Sequence, residues 1–414
     1  MYKSMLESLG LNGVRAAIGA IFFPVLSYYL SPEELGRVGL FLGINAFMGP
    51  LIAGNLENLS WKKKFDRGDF KTFKIIIIQI TVILTIIFLG IVLAFSEFFR
   101  DKVGNTYWLQ PLIALLDTWI VIKSVDFFSE HKHREGNFLT IIKQALVFGA
   151  TLLLLEWFIE DYQARIYGQL IAATALGIYA IKSYLKNIPI KEIFEVKKGR
   201  YNKIVTFMIL GYPGLIFEWV IFHSDKFFIE GIVGKEELGI YTMAYALSIA
   251  VYISDSAISQ VWNSEYYKMA DSTNFKKVYS SIGIQAVMIS LVALVLSLAT
   301  PFIYKYVIDP SYTKGITIVP IIAFAYVFFA IADKFKLFII KSEKAGWITI
   351  NNGIAAAINI ILNIVLIREH GIMGAAYSTI ISYFVLMVLN MVVGIRLFKL
   401  YHQNKKLKLI ESAL

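Results

Sequence analysis

The sequence predicts an all-α polytopic membrane protein: twelve transmembrane helices in two parallel six-helix repeats, with both termini cytoplasmic. Three observations lead there. The 414 residues are 57% hydrophobic and only 17% charged, with a mean hydropathy of +0.64, whereas soluble domains carry about a quarter charged residues. Apolar runs such as "FKIIIIQITVILTIIFLGIVLAF" at 73–95 exceed the roughly 20 residues that cross a bilayer. Finally, the chain repeats itself: "SPEELGR" at 31–37 returns as "GKEELGI" at 234–240.

The runs follow in order. The first, 9–30, holds Arg15 and Pro24 and follows a short N-terminus with one lysine. No small-residue cleavage site follows it, so it reads as a retained span rather than a signal peptide. The second, 37–59, holds Pro50 and ends near Glu57, Asn58 and Trp61; the third, 74–95, is uninterrupted. The fourth, 108–128, opens on Tyr107 and Trp108, residues typical of the membrane interface, and carries Asp117, Lys123 and Asp126. The fifth and sixth are 138–159, with Lys143 and Glu156, and 166–185. The longest turn, around Pro189, precedes the seventh, 204–224, which contains Pro213 and Glu218 and ends at Asp225-Lys226. The eighth, 237–260, carries Asp255 and closes on Trp262. Runs at 279–305, 316–335, 348–367 and 372–395 complete the twelve, the tenth closing on Asp333-Lys334.

Charge sets the orientation. With the N-terminus inside, 28 Lys and Arg fall on the cytoplasmic side and 9 on the other, with three within spans. That excess obeys the positive-inside rule. It also accounts for the net charge of +10 without nucleic acid as a partner. The predicted organisation is an N-terminal lobe at 1–186, a cytoplasmic linker at 187–203 and a C-terminal lobe at 204–414. An even number of spans per repeat returns the chain to its starting side, so two tandem repeats share one orientation and can be related by an axis along the membrane normal. The two Glu-Glu-Leu-Gly copies fall in the turn before the second helix of each half, and Trp61 and Trp262 close those helices.

Several function classes drop out. The chain has no cysteine, which removes disulfides, thiolate metal sites and cysteine nucleophiles. No Walker A pattern is present, so ATPase chemistry is not expected. "HKH" at 131–133 sits among basic residues and lacks zinc-site spacing, so no metal is expected. The turns are too short to hold a catalytic domain, so the protein reads as a transporter rather than an enzyme.

The segment "FHSDKFFIEGIVGKEELGIYTMAYALSIAVYISDSAISQVW" at 222–262 resembles the O-antigen and polysaccharide-biosynthesis flippases of the multidrug/oligosaccharidyl-lipid/polysaccharide exporter superfamily. The likeness lies in Asp-Lys ending the seventh helix, Gly-Ile-Tyr opening the eighth, and Ala-Tyr one turn later. "REHGIMGAAYSTIISY" at 368–383, opening the twelfth helix, carries it further. The resemblance implies a MATE-like fold of V-shaped lobes whose helices 1, 2, 7 and 8 line a central cavity. It implies, as cargo, an undecaprenyl-pyrophosphate-linked oligosaccharide turned from the inner to the outer leaflet of a bacterial cell membrane. Membrane lipids and other polysaccharide assembly proteins are the implied partners; no cofactor is expected, with coupling to protons or sodium open. The second helix lacks the arginine found in some lipid-linked precursor flippases. Sugar and pyrophosphate cannot enter hydrocarbon without losing hydrogen bonds to water, so such a carrier needs a polar, preferably cationic cavity.

The candidate substrate-binding or gating residues are Arg15, Glu57, Asn58, Glu218, Asp225, Lys226 and Asp255. Arg15 lies about 9 Å into its helix at 1.5 Å per residue, within reach of snorkelling to headgroups or of service as a phosphate fork. Asp255, at similar depth, suggests itself as a pairing partner for Arg15 at an inner gate. Glu218 lies far from either edge, where a short carboxylate cannot snorkel; it reads either as a protonated, satisfied acid or as a cation-coupling site. Asp225 and Lys226 read as a solvated helix terminus or an outer gate. Lys123 and Asp126 form an i,i+3 pair, Lys143 and Glu156 snorkel from opposite ends of one helix, and Asp333 and Lys334 sit among headgroups. Pro24, Pro50 and Pro213 interrupt their helices and tend to kink them. Two other readings compete with the flippase: a cation-coupled multidrug or metabolite antiporter on the same fold, and a membrane-embedded polysaccharide polymerase or ligase.

Overall fold

The computed structural model describes residues 2–54, 70–130, 132–186, 188–194, 198–271 and 275–411. Among them, twelve helices have 20 or more residues. They are α1 (Tyr2–Leu26), α2 (Pro32–Ala53), α3 (Phe70–Ala94), α4 (Gln110–Ser129), α5 (His133–Trp157), α6 (Gln163–Leu185), α7 (Lys198–Val233), α8 (Lys235–Asp271), α9 (Phe275–Tyr306), α10 (Ile318–Lys341), α11 (Gly346–His370) and α12 (Ile372–Glu411). A short helix, Ser96–Val103, and a 3₁₀ segment, Gly104–Leu109, lead into α4. No strand occurs among the described residues.

Ten of these elements are long and apolar enough to cross a membrane, which makes this a multi-pass membrane protein. α4 falls outside that group; it carries Asp117, Lys123 and Asp126. The apolar part of α1 that can be described is only 13–26. Several helices outrun their apolar runs: α7 continues to Val233, α8 to Asp271 and α12 to Glu411. Hydropathy reads the hydrocarbon-soluble stretch, whereas a helix propagates through polar residues until a breaker stops it.

The repeated tetrapeptide has a structural role in both places. In α2, the Ser31 side chain accepts from the Glu34 backbone, and the Glu34 carboxylate accepts from the Ser31 backbone at 2.9 Å, with Pro32 at the first helical position. That is a capping box. In α8, Glu236 and Glu237 lie in the first turn, after Gly234 with φ +97°. Acidic side chains there favour the positive end of the helix dipole. Leu35 and Leu238, the third residues of the two copies, are both fully buried. The copies therefore form the opening turns of α2 and α8, rather than the preceding loops that the apolar pattern suggests.

The chain packs as two compact units: Met1–Phe22 with Leu26–Trp219, and Phe23–Val25 with Val220–Leu414. The division lies within α7, beyond the proline-containing connection at 187–203. In unit 1, Phe73, Ile76, Ile77 and Ile80 of α3 bury against Trp119 and Ile122 of α4, Ala180 and Tyr184 of α6, and Ile204 and Met208 of α7. In unit 2, Val278 and Ile282 of α9 pack with Phe335 and Phe338 of α10 and Phe398 of α12. The Phe338 and Phe398 rings stack at 4.4 Å. Close helix approach in a membrane depends on small residues: a Cβ on Gly394 of α12 would sit 2.7 Å from the Phe335 carbonyl oxygen.

Candidate functional site

Each unit encloses charged side chains that its own helices bring together. In unit 1 the centre is Asp117 of α4. One of its carboxylate oxygens lies 2.7 Å from the Lys143 ammonium of α5. The other accepts from Gln169 of α6 at 2.8 Å and from Asn45 of α2 at 3.3 Å. Arg165, one turn before Gln169, donates to the Gln169 side-chain oxygen at 2.8 Å, and its guanidinium lies 5.3 Å from the centre of the Phe22 ring. A glutamine thus relays between one carboxylate and a second cation. Arg165 is only 6% exposed, and its buried Nε has no acceptor. α5 and α6 approach closely beside this cluster because Gly168 has no side chain; a Cβ there would meet Thr151 Oγ1 at 2.3 Å.

In unit 2 two of the pairs among the described residues are enclosed on both sides, each side chain less than a tenth exposed. Asp255 of α8 and Lys334 of α10 form an ion pair at 3.1 Å, their side chains 8% and 2% exposed, and Lys334 also donates to Ser259. Gln285 of α9 lines a water-sized cleft against this pair, and neither end of its buried amide has a partner. The other pair is on α7. Asp225 accepts from the buried Tyr241 hydroxyl of α8 and lies 3.6 Å from Lys226. The Lys226 ammonium sits 4.2 Å above the Tyr245 ring, within a layer of aromatic rings that includes Phe222, Tyr326, Phe329 and Tyr383. Cation–π contact in a desolvated site offsets part of the cost of burying the ammonium. Nearby, Asn359 of α11 accepts from Ser224 at 3.1 Å and donates to Ser378 and Ser382 of α12, so polar side chains bridge α7, α11 and α12.

The sequence-predicted residues land as follows. Asp225 and Lys226 are 2% and 5% exposed, so they are not a solvated terminus; α7 continues past them to Val233. Asp255 is partnered by Lys334, not by the Arg15 that depth suggests. Lys334 itself is buried rather than among headgroups, because α10 runs on to Lys341. Lys143 does not snorkel: it pairs with Asp117. Lys123 and Asp126 approach to 4.0 Å, as their spacing predicts. Arg15 is partly buried on α1 in unit 1, where the Gln144 amide, oriented to satisfy both its ends, donates to its carbonyl oxygen at 3.2 Å. Glu218 lies partly buried beside Trp219, whose indole donates to the Gly43 carbonyl at 2.9 Å; the Glu218 carboxylate has no hydrogen bond or ion pair among the described residues. Glu57 and Asn58 lie outside the described residues. Asn45, Arg165, Gln169, Tyr241 and Lys334 carry contacts that sequence reasoning missed. The signal for one of them was present: Arg165 and Gln169 are spaced i,i+4.

The sequence profile of the polysaccharide biosynthesis protein family matches residues 2–263. The chain belongs to that family. Solved structures share its fold. An inward-facing multidrug resistance MATE family transporter of the MOP superfamily superposes with a TM-score of 0.69 at 13% identity, over 95% of this chain and 96% of that one. The lipid II flippase MurJ, in an inward closed conformation, gives 0.67 at 14% identity over 99% and 90%. A MOP superfamily transporter from Pyrococcus furiosus, described by the reverse polarity of its binding pocket, gives 0.61 at 12% over 96% and 95%. No curated protein matches the sequence.

Proposed function

We propose that this protein is a flippase that carries an undecaprenyl-pyrophosphate-linked oligosaccharide repeat unit from the inner to the outer leaflet of a bacterial cell membrane by alternating access, in cell-surface polysaccharide biosynthesis. Its membership in the polysaccharide biosynthesis family carries the reading. Charged and amide side chains within the membrane-spanning parts of both units support it, because intramembrane ionisable groups mark transport pathways. All twelve long helices span in this reading, with both termini inside. α4 crosses despite its charges because Lys143 neutralises Asp117 within the same unit. Arg15, with Glu57 and Asn58, serves the substrate path in unit 1, and the Asp225–Lys226 and Asp255–Lys334 pairs act as gating elements in unit 2.

One observation favours a second reading. The unpartnered Glu218 carboxylate suits a proton or sodium site, as a cation-coupled antiporter on this fold needs. The two are separated by reconstituting the purified protein in liposomes and following transbilayer movement of an undecaprenyl-pyrophosphate-linked oligosaccharide. The flippase reading expects movement above protein-free vesicles. Efflux of a small organic cation driven by a proton or sodium gradient, without lipid movement, would overturn it.

A further inference from the structure

We infer that the Lys143 ammonium of unit 1 is a receptor for a phosphate-type oxyanion, held ready by Asp117. The choice of a phosphate among anions rests on the proposed function; the case for an anion rests on the cluster itself. Among the described residues Asp117 is the one carboxylate in contact with the cluster, and two cations, Lys143 and Arg165, are arranged around it. The buried Arg165 Nε has no acceptor. An excess positive charge inside a membrane protein is costly unless a counter-charge arrives, and the cluster is one negative charge short.

Access decides which cation receives that charge. Arg165 is enclosed, whereas the Lys143 side chain remains 26% exposed. Lys143 lies about 15 Å from the start of α5 at 1.5 Å per residue, and its ammonium is turned to Asp117 at 2.7 Å. When Lys143 turns to an incoming anion, Asp117 is not abandoned. Gln169 and Asn45 still donate to it, and the Arg165 charge stays two hydrogen bonds away through Gln169. Lys334 has no such freedom: it is enclosed, and no second cation contacts Asp255 among the described residues. An ammonium with three donors on a flexible stem binds phosphate as a point charge. The oxyanion is either the headgroup of a lipid-linked cargo or a free phosphate, and both present the same chemistry.

The test uses full-length protein in lipid nanodiscs, with inorganic pyrophosphate, undecaprenyl pyrophosphate and sodium chloride as separate probes. A ligand that binds only the folded state raises the melting temperature, so at least one pyrophosphate probe stabilises the wild type where chloride does not. The Lys143→Met variant binds that probe about tenfold or more weakly, the loss expected for one charge-assisted hydrogen bond, while Lys143→Arg keeps most of the affinity. Equal binding of both pyrophosphates identifies a site for free oxyanion; binding of the lipid form alone identifies a headgroup site. Wild type that is stabilised by neither pyrophosphate probe, or Lys143→Met that binds as the wild type does, overturns the proposal. Lys143-dependent pyrophosphate binding without transbilayer movement would sink the flippase reading and leave the oxyanion site standing. Movement accompanied by Lys143-independent binding would do the reverse.

Discussion

The two units solve the problem of buried charge differently. In unit 2 each acid meets one base: Asp255 with Lys334 and Asp225 with Lys226, their remaining valences filled by Ser259, Tyr241 and the Tyr245 ring. In unit 1 a single carboxylate, Asp117, is shared by Lys143, Asn45 and Gln169, with Arg165 behind the glutamine. A matched pair is closed; either member removed leaves the other stranded in a low-dielectric interior. An unmatched cluster is open, with a cation to spare. The difference separates a lock from a receptor.

Substitutions can break or sharpen this contrast. The largest effect is expected for Lys334→Met, which strands Asp255 and costs about 3–5 kcal/mol; the Asp255→Asn/Lys334→Met double variant regains most of it, and melting curves of the three proteins check both statements. Asp117→Asn leaves the Lys143 and Arg165 charges in one cluster without a carboxylate, and costs about 3 kcal/mol. Millimolar pyrophosphate restores part of that loss in the same melting experiment, and raises the melting temperature of Asp117→Asn more than that of the wild type or of Lys334→Met, in both of which Asp117 still neutralises Lys143. Asp225→Asn strands the buried Lys226 ammonium, which keeps its contact with the Tyr245 ring, weakens the Tyr241 contact, and costs about 3 kcal/mol. Lys143→Met costs least, about 1 kcal/mol or less, because its pair is partly exposed and Asp117 keeps other partners. A Lys143→Met protein as unstable as Lys334→Met would erase the distinction between the units.

The helices were legible in the sequence, and their partners were not. Each apolar run falls on one of the twelve long helices among the described residues, ten of which are long and apolar enough to cross a membrane, because a bilayer forces a span to satisfy its own backbone within one continuous segment. The runs misplaced ends at Pro32, Val233 and Glu411, where capping and polar propagation rather than hydropathy decide. Asp225, Lys226 and Asp255 stood out as charges at the margins of apolar runs, but their burial did not follow from depth. Lys334 is 79 positions from Asp255, and only the packing of α8 on α10 joins them. Lys143 looked like a snorkelling lysine until α4 and α6 were packed against α5. The neutral Asn45 gives no signal, since an amide in an apolar run is read as tolerated rather than placed, and Gln169 gives only its i,i+4 spacing from Arg165. Arg165 lies just before the sixth apolar run, 166–185, whereas its helix begins at Gln163.

The most direct test of the account is transbilayer movement of an undecaprenyl-pyrophosphate-linked oligosaccharide in proteoliposomes, measured for the wild type and Lys143→Met at equal amounts of folded protein. The account predicts that the wild type moves the lipid and that the variant, still folded, moves it about tenfold or more slowly. Equal rates would contradict a role of Lys143 in holding the cargo headgroup, and no movement by the wild type would contradict the flippase itself.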